Sequence, residues 1–467
     1  MDVAGRVTLR FTGDVVRADH HVNLSAVRSD GAHLWLAGDE TATIERLVLD
    51  SATCPTRAGR QRSFRLADLV QLPGPPNGEA DIQGIARDGD WLWVVGSHAL
   101  VRRRPKPEHD EAKVVRRLGK VRRDPNRFII ARLAVHLGMD RRPEPVRVTR
   151  DGRRSALVGA PGAETLVDLL RADTHLAPFL AIPGKDNGFD VEGLAVVGER
   201  VYVGLRGPVL RGWAVVLELR PVQDPTDPGR LALGILPEGA RYRKHFLDLG
   251  GLGVRDLCLD GDDLLVLAGP PTALPGSTRV YRWHGAAATD TARVVREADL
   301  SLETVVAHGE GDDQAEAITL LAPDAVDPRA RLLVVYDTPA PARCPWPDSV
   351  QADVVRIGPE PEPDDDGLVA AEPIEPEPVD ETLVDEAPDD AAPVDAEPVE
   401  TGPAETEPVD AEPVDAEPPD AGPAVPEQAG ADAAGLASAP GRRDCTGRSA
   451  TRLHPAPPAR TAEVPPN

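Results

Sequence analysis

One pattern of apolar and polar residues recurs five times in the first 357 residues. Each copy has an apolar strand with a small or polar pair near its start, then a tight turn and a second apolar strand. Alternation of this kind predicts β-strands, so each copy predicts a β-hairpin. The copies are NLSAVRSDGAHLWLAGDE from Asn23, DIQGIARDGDWLWVVGSH from Asp81, DVEGLAVVGERVYVGLRG from Asp190, GVRDLCLDGDDLLVLAGP from Gly253 and QAEAITLLAPDAVDPRARLLVVYDT from Gln314.

Asp-Gly dipeptides mark the turn in three of these hairpins. They are Asp30-Gly31, Asp88-Gly89 and Asp260-Gly261. Asp-Gly favours a two-residue turn in which both central residues have positive φ. We therefore expect that turn type in these three copies.

Two further strands accompany most copies. A more polar fourth strand precedes the next copy, as in Ser63 to Leu69 and Lys244 to Leu249. Four antiparallel strands repeated about every 60 residues are typical of a β-propeller, and an open β-sandwich is the alternative. The predicted third strands are Thr43 to Asp50, Arg127 to Val135, Ala214 to Arg220, Thr278 to Gly285 and Asp353 to Gly358.

The spacing of the copies predicts the number of blades. One polar marker residue in each first strand separates the copies by 58, 109, 63 and 61 residues. We expect five blades, with the long interval enlarged by a basic loop and a short helix from Ala163 to Ala172; a sixth, degenerate blade is the alternative. The N-terminal strand, Arg6 to Gly13, is expected to close the ring by pairing with the last blade. The markers are Ser25, Gln83, Glu192, Arg255 and Glu316.

Composition divides the 467 residues into two parts. Residues 358–467 hold 28 acidic residues and 5 arginines, a charge of −23 out of the total of −25, and none of the aromatic residues. A proline recurs at every fifth position from Pro393 to Pro423. Such a segment has too little to bury, so we predict an all-β propeller domain over residues 1–357 and a disordered acidic tail over residues 358–467.

A basic loop interrupts the second copy. Residues 102–123 carry ten basic and three acidic residues, a net charge of +7, and no aromatic residue. Binding of nucleic acid by this loop would be driven by phosphate contacts alone and is not the favoured function. The acidic tail is a candidate partner that could fold back onto this loop.

Several classes of protein are disfavoured by the sequence. No run of about 18 apolar residues predicts a membrane span, and the expected location is the cytoplasm. The four cysteines form no CxxC motif and are expected to be reduced thiols. Nucleophile-elbow, P-loop, zinc-protease and kinase motifs are also lacking.

Candidate functional residues follow from the propeller prediction. The first strand of each blade would line a central channel, so the markers and their polar neighbours should meet at one mouth. A carboxylate ring of Asp190, Glu192, Asp256 and Glu316 would suit Ca²⁺ or Mg²⁺, while an arginine–carboxylate network is the structural alternative. The ligand-binding candidates are Asp81, Gln83, Asp190, Glu192, Arg206, Arg211, Arg255, Asp256 and Glu316.

Two phrases carry a family resemblance. They are DVEGLAVVGERVYVGLRGPVLRGWAVVLEL, from Asp190, and YRKHFLDLGGLGVRDLCLDGDDLLVLAGP, from Tyr242. The chain resembles, over most of residues 20–340, the bacterial family known as domain of unknown function thirty-six sixteen, which implies no particular reaction. The D-x-E-G-[IL] phrase is also weakly similar to the esterase-like phytase propellers, although Gln83 and Ala317 depart from that phrase.

Three functions remain open at this point. The first is a propeller that binds a ligand or a protein partner at the channel mouth. The second is a metal-assisted hydrolase of phosphoesters or carboxylic esters, in which Arg206 or Arg255 clamps the anion. The third is polyanion binding through the basic loop.

Overall fold

The computed structural model describes residues 2–358 except 273, 275, 307, 309–312, 326 and 328. This part of the chain is mostly β, as predicted. Apart from Gly358, the predicted tail lies outside the described residues. Short 3-10 helices connect the strands at His20–Val22, Pro125–Arg127, Leu170–Ala172, Ala177–Phe179, Gly184–Asp186, Glu297–Asp299 and Pro341–Arg343.

The first copy forms four antiparallel strands that pair in chain order. They follow an N-terminal strand, β1 (Val3–Arg10), and one turn of helix, α1 (Asp14–Arg17). The predicted fourth strand, Ser63 to Leu69, is only half right, because the helical turn α2 (Leu66–Leu69) replaces the strand after Arg65. The four strands are β2 (Leu24–Asp30), β3 (His33–Gly38), β4 (Thr43–Leu49) and β5 (Arg57–Arg65).

The second copy contains the long interval between markers. Its sheet runs β6–β7–β10–β11, and β12 pairs with the other half of β10. The basic loop is a folded insertion made of β8, β9 and α3, and the predicted helix from Ala163 begins later, at α4, because Thr165 is its N-cap. The elements are β6 (Ile82–Asp88), β7 (Trp91–Gly96), β8 (Val101–Arg102), α3 (Glu111–Leu118), β9 (Val121–Arg122), β10 (Ile130–Leu137), β11 (Pro143–Val146), β12 (Ala156–Val158) and α4 (Leu166–Leu169).

The third and fourth copies also form four-stranded antiparallel units. Their sheet orders are β13–β14–β15–β18, with β22 added at the edge, and β19–β20–β21–β23; β16 and β17 form a separate hairpin. The strands are β13 (Asp190–Val197), β14 (Arg200–Leu210), β15 (Trp213–Leu219), β16 (Pro221–Gln223), β17 (Leu231–Leu233), β18 (Arg243–Asp248), β19 (Gly253–Asp260), β20 (Asp263–Gly269), β21 (Thr278–Trp283), β22 (Val294–Val295) and β23 (Leu300–Val306).

The last unit contains both ends of the described chain. It consists of β24 (Gln314–Leu320), β25 (Ala330–Asp337), β26 (Ser349–Ile357) and the N-terminal strand β1. The antiparallel pairing of β1 with β26 places Val3 opposite Val355 and confirms the predicted closure. A short parallel contact between β1 and β5 joins this unit to the first.

The three Asp-Gly hairpins form, but the predicted turn type is wrong. Asp30 pairs with His33, so the two central residues of the first turn are Gly31 and Ala32. Of these two, only the glycine has positive φ, at 61°. Glycine at the first central position is typical of a type II′ turn, and the aspartate ends the strand instead of entering the turn. Gly89 and Gly261 occupy the same position.

The apolar core is divided among the neighbouring units. Each cluster of buried side chains combines residues from two consecutive units, and one cluster joins the last unit to the first. The first strands β2, β6, β13, β19 and β24 contact one another in the same cyclic order. Apolar burial therefore holds the units in a closed ring. Four of the clusters each contain a large buried aromatic side chain. These side chains are Phe189, Trp35, Tyr202 and Tyr336, one from each cluster.

Two sequence-level expectations concern helices and cysteines. No helix in the described ranges is long and apolar enough to cross a membrane. Among the described residues, Cys54, Cys258 and Cys344 are not in disulfide bonds. Cys445 lies outside the described residues.

Candidate functional site

The marker residue of every copy lies in a β-bulge. In the first unit, for example, Leu24 pairs with Gly38 and Ala26 pairs with Ala37, so that Ser25 is the extra residue. A bulge bends its strand and re-aims a side chain, and bulges are common next to functional sites. The pairing shifts in the same way at all five markers: Ser25, Gln83, Glu192, Arg255 and Glu316.

Glycines beside two markers allow the first strands to approach closely. A Cβ atom on Gly84 would lie 2.6 Å from the Cβ atom of Leu194 in the next unit. A Cβ atom on Gly193 would similarly lie 2.9 Å from Cγ of Leu257. The glycine that follows the marker in these two copies is therefore a packing requirement, and it brings adjacent markers together.

Arg255 is the centre of a buried ion-pair network. Its Nη1 atom donates to Glu316 at 2.7 and 2.8 Å and to Glu192 at 3.0 Å. Arg255 is 4% exposed, Glu192 is 3% exposed and Glu316 is 8% exposed. Three of the five markers, contributed by three different units, thus meet at one point.

Arg206 extends the network towards the start of β13. Its guanidinium donates to Asp190 and also contacts Glu192, at 2.7 Å. Burial raises the pKa of Asp190 to about 7 even though Arg206 opposes this shift. Burial likewise raises the pKa of Glu316 to about 8, with Arg255 opposing it. The arginines therefore offset only part of a large desolvation cost.

Asp81 and Gln83 form a second cluster at the start of β6. Gln83 Nε2 donates to Asp81 Oδ1 at 3.1 Å, and the guanidinium of Arg127 donates to Asp81 and to Glu79. Gln83 is 8% exposed, and its Oε1 atom has no hydrogen-bond partner among the described residues. Both carboxylate oxygens of Asp81 thus accept hydrogen bonds, whereas the neighbouring Oε1 atom of Gln83 accepts none from the described residues.

Asp256, predicted as part of the carboxylate ring, is oriented differently. Its oxygens accept hydrogen bonds from the backbone N–H groups of Leu257 and Ile318, at 2.7 and 2.9 Å. Burial raises its pKa to about 7, and Arg28, 3.7 Å away, opposes the shift. Asp256 therefore links β19 to β24 and does not contact the Arg255 network.

Two other predicted residues do not join the network. Ser25 donates from Oγ to the carbonyl of Ile82 at 2.5 Å and so ties the first unit to the second. Arg211 is exposed in the turn between β14 and β15, and it makes no ion pair with Asp190 or Glu192 within the described part of the chain. Of Arg206 and Arg211, only Arg206 pairs with these carboxylates.

The mouth contains carboxylates that the first-strand pattern did not reveal. The mouth is the end of the ring where the first strands begin and the second strands end. Asp39 follows β3, and Asp337 ends β25. Burial raises the pKa of Asp39 to about 7, and nearby Asp81 and Asp337 add to this shift. Burial also raises the pKa of Asp337, and Lys185 opposes that shift.

Arg28 is a second residue that sequence reasoning missed. It belongs to β2, and its guanidinium donates to the carbonyl of Ile85 in β6 at 2.8 Å and to that of Leu257 in β19 at 2.7 Å. Strands β2 and β19 are not neighbours in the ring, so the side chain crosses its interior. In the sequence, Arg28 looks like a polar residue ahead of a turn.

The basic insertion extends from the mouth end of the ring. It leaves after β7, and Arg102 anchors it by pairing with Asp186 at 2.7 Å. Asp110 caps α3 by accepting from the backbone N–H of Lys113. Most of its basic residues are exposed, together with the apolar side chain of Val115, which is 69% exposed.

A separate cavity lies between the outer edges of the third and fourth units. Its volume is about 500 Å³, and it lies beside β21, β22 and the start of β23. His284 and Arg293 are among the residues that line it. None of the predicted site residues contributes to this cavity, so the markers remain the better candidate site.

Comparisons with known proteins identify the family and little more. The family model described as Protein of unknown function (DUF3616) matches residues 23–353, which confirms the resemblance read from the two phrases. A search of curated proteins found no match. The solved structures that match this chain have low TM-scores, so they say nothing about its function.

Three solved structures illustrate the range of similarity. Glutaminyl cyclase from Myxococcus xanthus has 10% identity and a TM-score of 0.31, and the match covers 77% of this chain and 100% of that chain. An engineered GH43 glycoside hydrolase has 12% identity and a TM-score of 0.32, with 72% and 50% covered. A DUF4623 family protein from Bacteroides eggerthii has 10% identity and a TM-score of 0.27, with 77% and 76% covered.

Proposed function

This chain belongs to the DUF3616 family, and we propose that residues 1–357 form a five-bladed β-propeller that binds a ligand or protein partner at the mouth of its central channel. Five four-stranded units in a ring support the architecture. The shared apolar clusters support it as well, because each blade of a propeller packs on two neighbours. The N-terminal strand supplies the fourth strand of the last blade.

The observation that carries the binding function is the meeting of bulged markers on Arg255. Three blades contribute one polar side chain each to a single buried point, and the ion pairs hold those side chains in place. Fixed polar groups below a partly exposed rim are typical of ligand sites, where a few polar groups orient the ligand. Asp39, Asp337 and Lys185 form that rim.

The metal-assisted hydrolase is the weaker alternative. Arg206 and Arg255 occupy the space between the carboxylates that would have to share a cation. Asp256 binds backbone amides instead of facing the other three. Within the described residues, no group of three or more potential ligand side chains is arranged to hold a metal ion.

The experiment is a thermal-unfolding screen with small amines, carboxylates, phosphates and sugars at fixed ionic strength. A ligand that binds the folded state raises the unfolding midpoint. We expect at least one probe to do so, and we expect Asp39→Asn or Lys185→Ala to alter the rise. Asp39→Asn removes a negative charge and Lys185→Ala removes a positive charge, so the two variants together can detect either a cationic or an anionic ligand.

The matched control is Asp262→Asn, in the exposed turn at the other end of the fourth unit. This variant should respond to every probe as the unaltered protein does. A panel that shifts no midpoint would contradict the proposal. Shifts that all survive both mouth variants would contradict it equally.

A further inference from the structure

We propose that the cavity between the third and fourth units is a second functional site, at which Ser301 is the nucleophile of a carboxylic-ester hydrolase. This site is separate from the mouth of the ring and goes beyond the function proposed there. Three side chains form a chain of contacts that ends in the cavity: Asp263, His284 and Ser301.

Ser301 and His284 are joined by a short hydrogen bond. Ser301 lies in β23, opposite Arg282 of β21, and His284 follows two residues after that arginine. This register brings the two side chains together, and Nε2 of His284 lies 2.6 Å from Oγ of Ser301. Both residues line the cavity, and the side chain of His284 is 52% exposed, so a ligand can reach the pair.

Asp263 determines which nitrogen of His284 can take the serine proton. Its Oδ2 atom lies 3.4 Å from Nδ1 of His284. An ionised carboxylate only accepts hydrogen bonds, so it favours the tautomer with the proton on Nδ1, and Nε2 then accepts from the hydroxyl of Ser301. The serine is therefore placed to act as a donor to the base.

The carboxylate of Asp263 is itself held in place. Its Oδ1 atom accepts from the backbone N–H of Gly285 at 2.8 Å, and its Oδ2 atom accepts from Nη1 of Arg282 at 3.2 Å. Burial raises the pKa of Asp263, but these hydrogen bonds and the nearby His284 outweigh burial and bring the pKa below its ordinary value. Asp263 is therefore charged at neutral pH.

This arrangement is that of a nucleophile, a base and a group that orients the base. A serine–histidine hydrogen bond on its own implies no function. Here a carboxylate contacts the opposite nitrogen of the same ring, and the serine faces a cavity. These two further observations are what a structural contact would not require.

The cavity has the size and lining of a small-molecule site. Its volume is about 500 Å³, and ligand pockets are roughly 300–1,000 Å³. Val294, Val295 and Leu300 supply apolar lining, and Arg293 supplies a cation. Among the described residues, the side chain of Arg293 makes one hydrogen bond, from Nε to Oγ1 of Thr289 at 3.0 Å. Its Nη atoms can therefore bind a carboxylate, and the substrate class is a small ester that carries one.

The reaction needs no co-reactant other than water. Ser301 Oγ attacks the ester carbonyl, Nε2 of His284 takes the hydroxyl proton, and that proton passes to the alcohol oxygen as the C–O bond breaks. Water, deprotonated by the same nitrogen, then hydrolyses the acyl-serine. Within the described sheets β23 has a partner strand on one side only, so N–H groups of its open edge are available to the carbonyl oxygen as it gains negative charge.

The first test is covalent labelling of the full chain with a fluorophosphonate. The serine oxygen bonds to phosphorus, fluoride leaves, and mass spectrometry locates the adduct. We expect the label on Ser301 in the unaltered protein and in Ser277→Ala, which changes an exposed serine of the same unit that does not line the cavity. His284→Asn should react at least about 100-fold more slowly, because it lacks the base, and Asp263→Asn should also react more slowly.

The second test measures acetate release from 4-acetoxybenzoate and from its uncharged methyl ester. We expect Ser301→Ala to release acetate from neither compound at a rate above that of the buffer. Arg293→Gln should raise KM for the charged ester and leave the uncharged ester unaffected. Equal unfolding midpoints will show that these surface variants are folded.

An unlabelled Ser301 in the unaltered protein would overturn the inference. Equal labelling of the unaltered protein and His284→Asn would do the same, as would acetate release that persists in Ser301→Ala. Equal effects of Arg293→Gln on both esters would overturn the charged substrate class. Asp39→Asn should be labelled like the unaltered protein, so failure at this cavity leaves the function proposed for the mouth standing.

Discussion

The mouth of the ring and the basic insertion beside it are both rich in arginine, yet they use it in opposite ways. Arg206 and Arg255 are about 95% buried and are paired with carboxylates from neighbouring strands. Arg103 and Arg116 of the insertion are exposed among charges of the same sign. Buried ion pairs fix geometry and are costly to break, whereas exposed charges contribute little to stability and act at long range. We therefore propose that the mouth selects a small ligand and predict that the insertion, if it binds anything, attracts a polyanion.

The largest expected effect is a loss of stability when a buried arginine of the mouth is replaced. Arg255→Met should lower the free energy of unfolding by about 3–5 kcal/mol, because Glu316 would remain buried without its cation and Glu192 would keep Arg206 alone. Urea denaturation measures this loss. Arg103→Met, the same change in the insertion, should leave the denaturation midpoint unchanged. Equal midpoints for the two variants would show that the mouth arginines are not structural.

The second effect is a dependence of stability on pH. Asp39 has a folded-state pKa of about 7, above its ordinary value of 3.8. Its contribution to stability is therefore full below about pH 4 and is lost as the pH rises to about 7. The loss should be on the order of 2 kcal/mol, because the partial exposure of Asp39 reduces the full value of the shift.

Urea denaturation between pH 4 and pH 8 measures this slope. Asp39→Asn should flatten it, while Glu108→Gln in the insertion should leave it unchanged. A slope that is identical in all three proteins would contradict the assignment. Below pH 4 the sign reverses, because Asp168 and Asp173 have folded-state pKa values of about 2 and lose their stabilising charge there.

A third, smaller effect compares two glycines. Gly84→Ala should cost about 1–3 kcal/mol, because the new methyl group would overlap Leu194 of the neighbouring unit. Gly119→Ala in the insertion should be neutral or slightly stabilising, since its Cβ atom would lie 3.6 Å from the nearest atom and its φ is −74°. Thermal unfolding of both variants measures the difference. A stable Gly84→Ala protein would mean that the first strands are packed less closely than described.

The smallest effect on stability belongs to the insertion, where the change should appear in binding. Replacing Arg103, Lys106, Lys113 and Arg116 with glutamine should leave the unfolding midpoint unchanged and weaken binding to a DNA duplex. The dependence of affinity on salt should become shallower, because fewer counterions are released. Deleting residues 359–467, which removes most of the negative charge, should strengthen the same binding if the tail folds back on the insertion. An unchanged affinity and salt slope would remove that interpretation of the tail.

The repeat and its closure could be predicted because they depend on local patterns. Alternating apolar residues identified the hairpins, and the unmatched strand at Arg6 had one obvious partner. The turn type was wrong because a dipeptide does not reveal which residue ends the strand, and Asp30 proved to be paired. The apolar pattern starts the helix too early, at Ala163, because that pattern does not show that Thr165 is the N-cap.

The candidate site was only partly predictable. The markers Glu192, Arg255 and Glu316 were found because they occupy equivalent positions in the repeat. The bulges that aim them depend on the register of two strands, which a single sequence does not show. Asp39 follows the second strand of its unit and Asp337 ends the second strand of the last unit, so the pattern of the first strands does not reveal them. The orientation of Asp256 depends on a backbone group in another unit.

The side chain of Arg28 determines whether a molecule could pass through the ring from one end to the other. Its bonds to Ile85 and Leu257 span the interior between strands that are not adjacent. A guanidinium group that spans the interior in this way would block any passage along the axis of the ring. If the proposed site lies at the mouth, a ligand that enters there would therefore have to leave by the same opening.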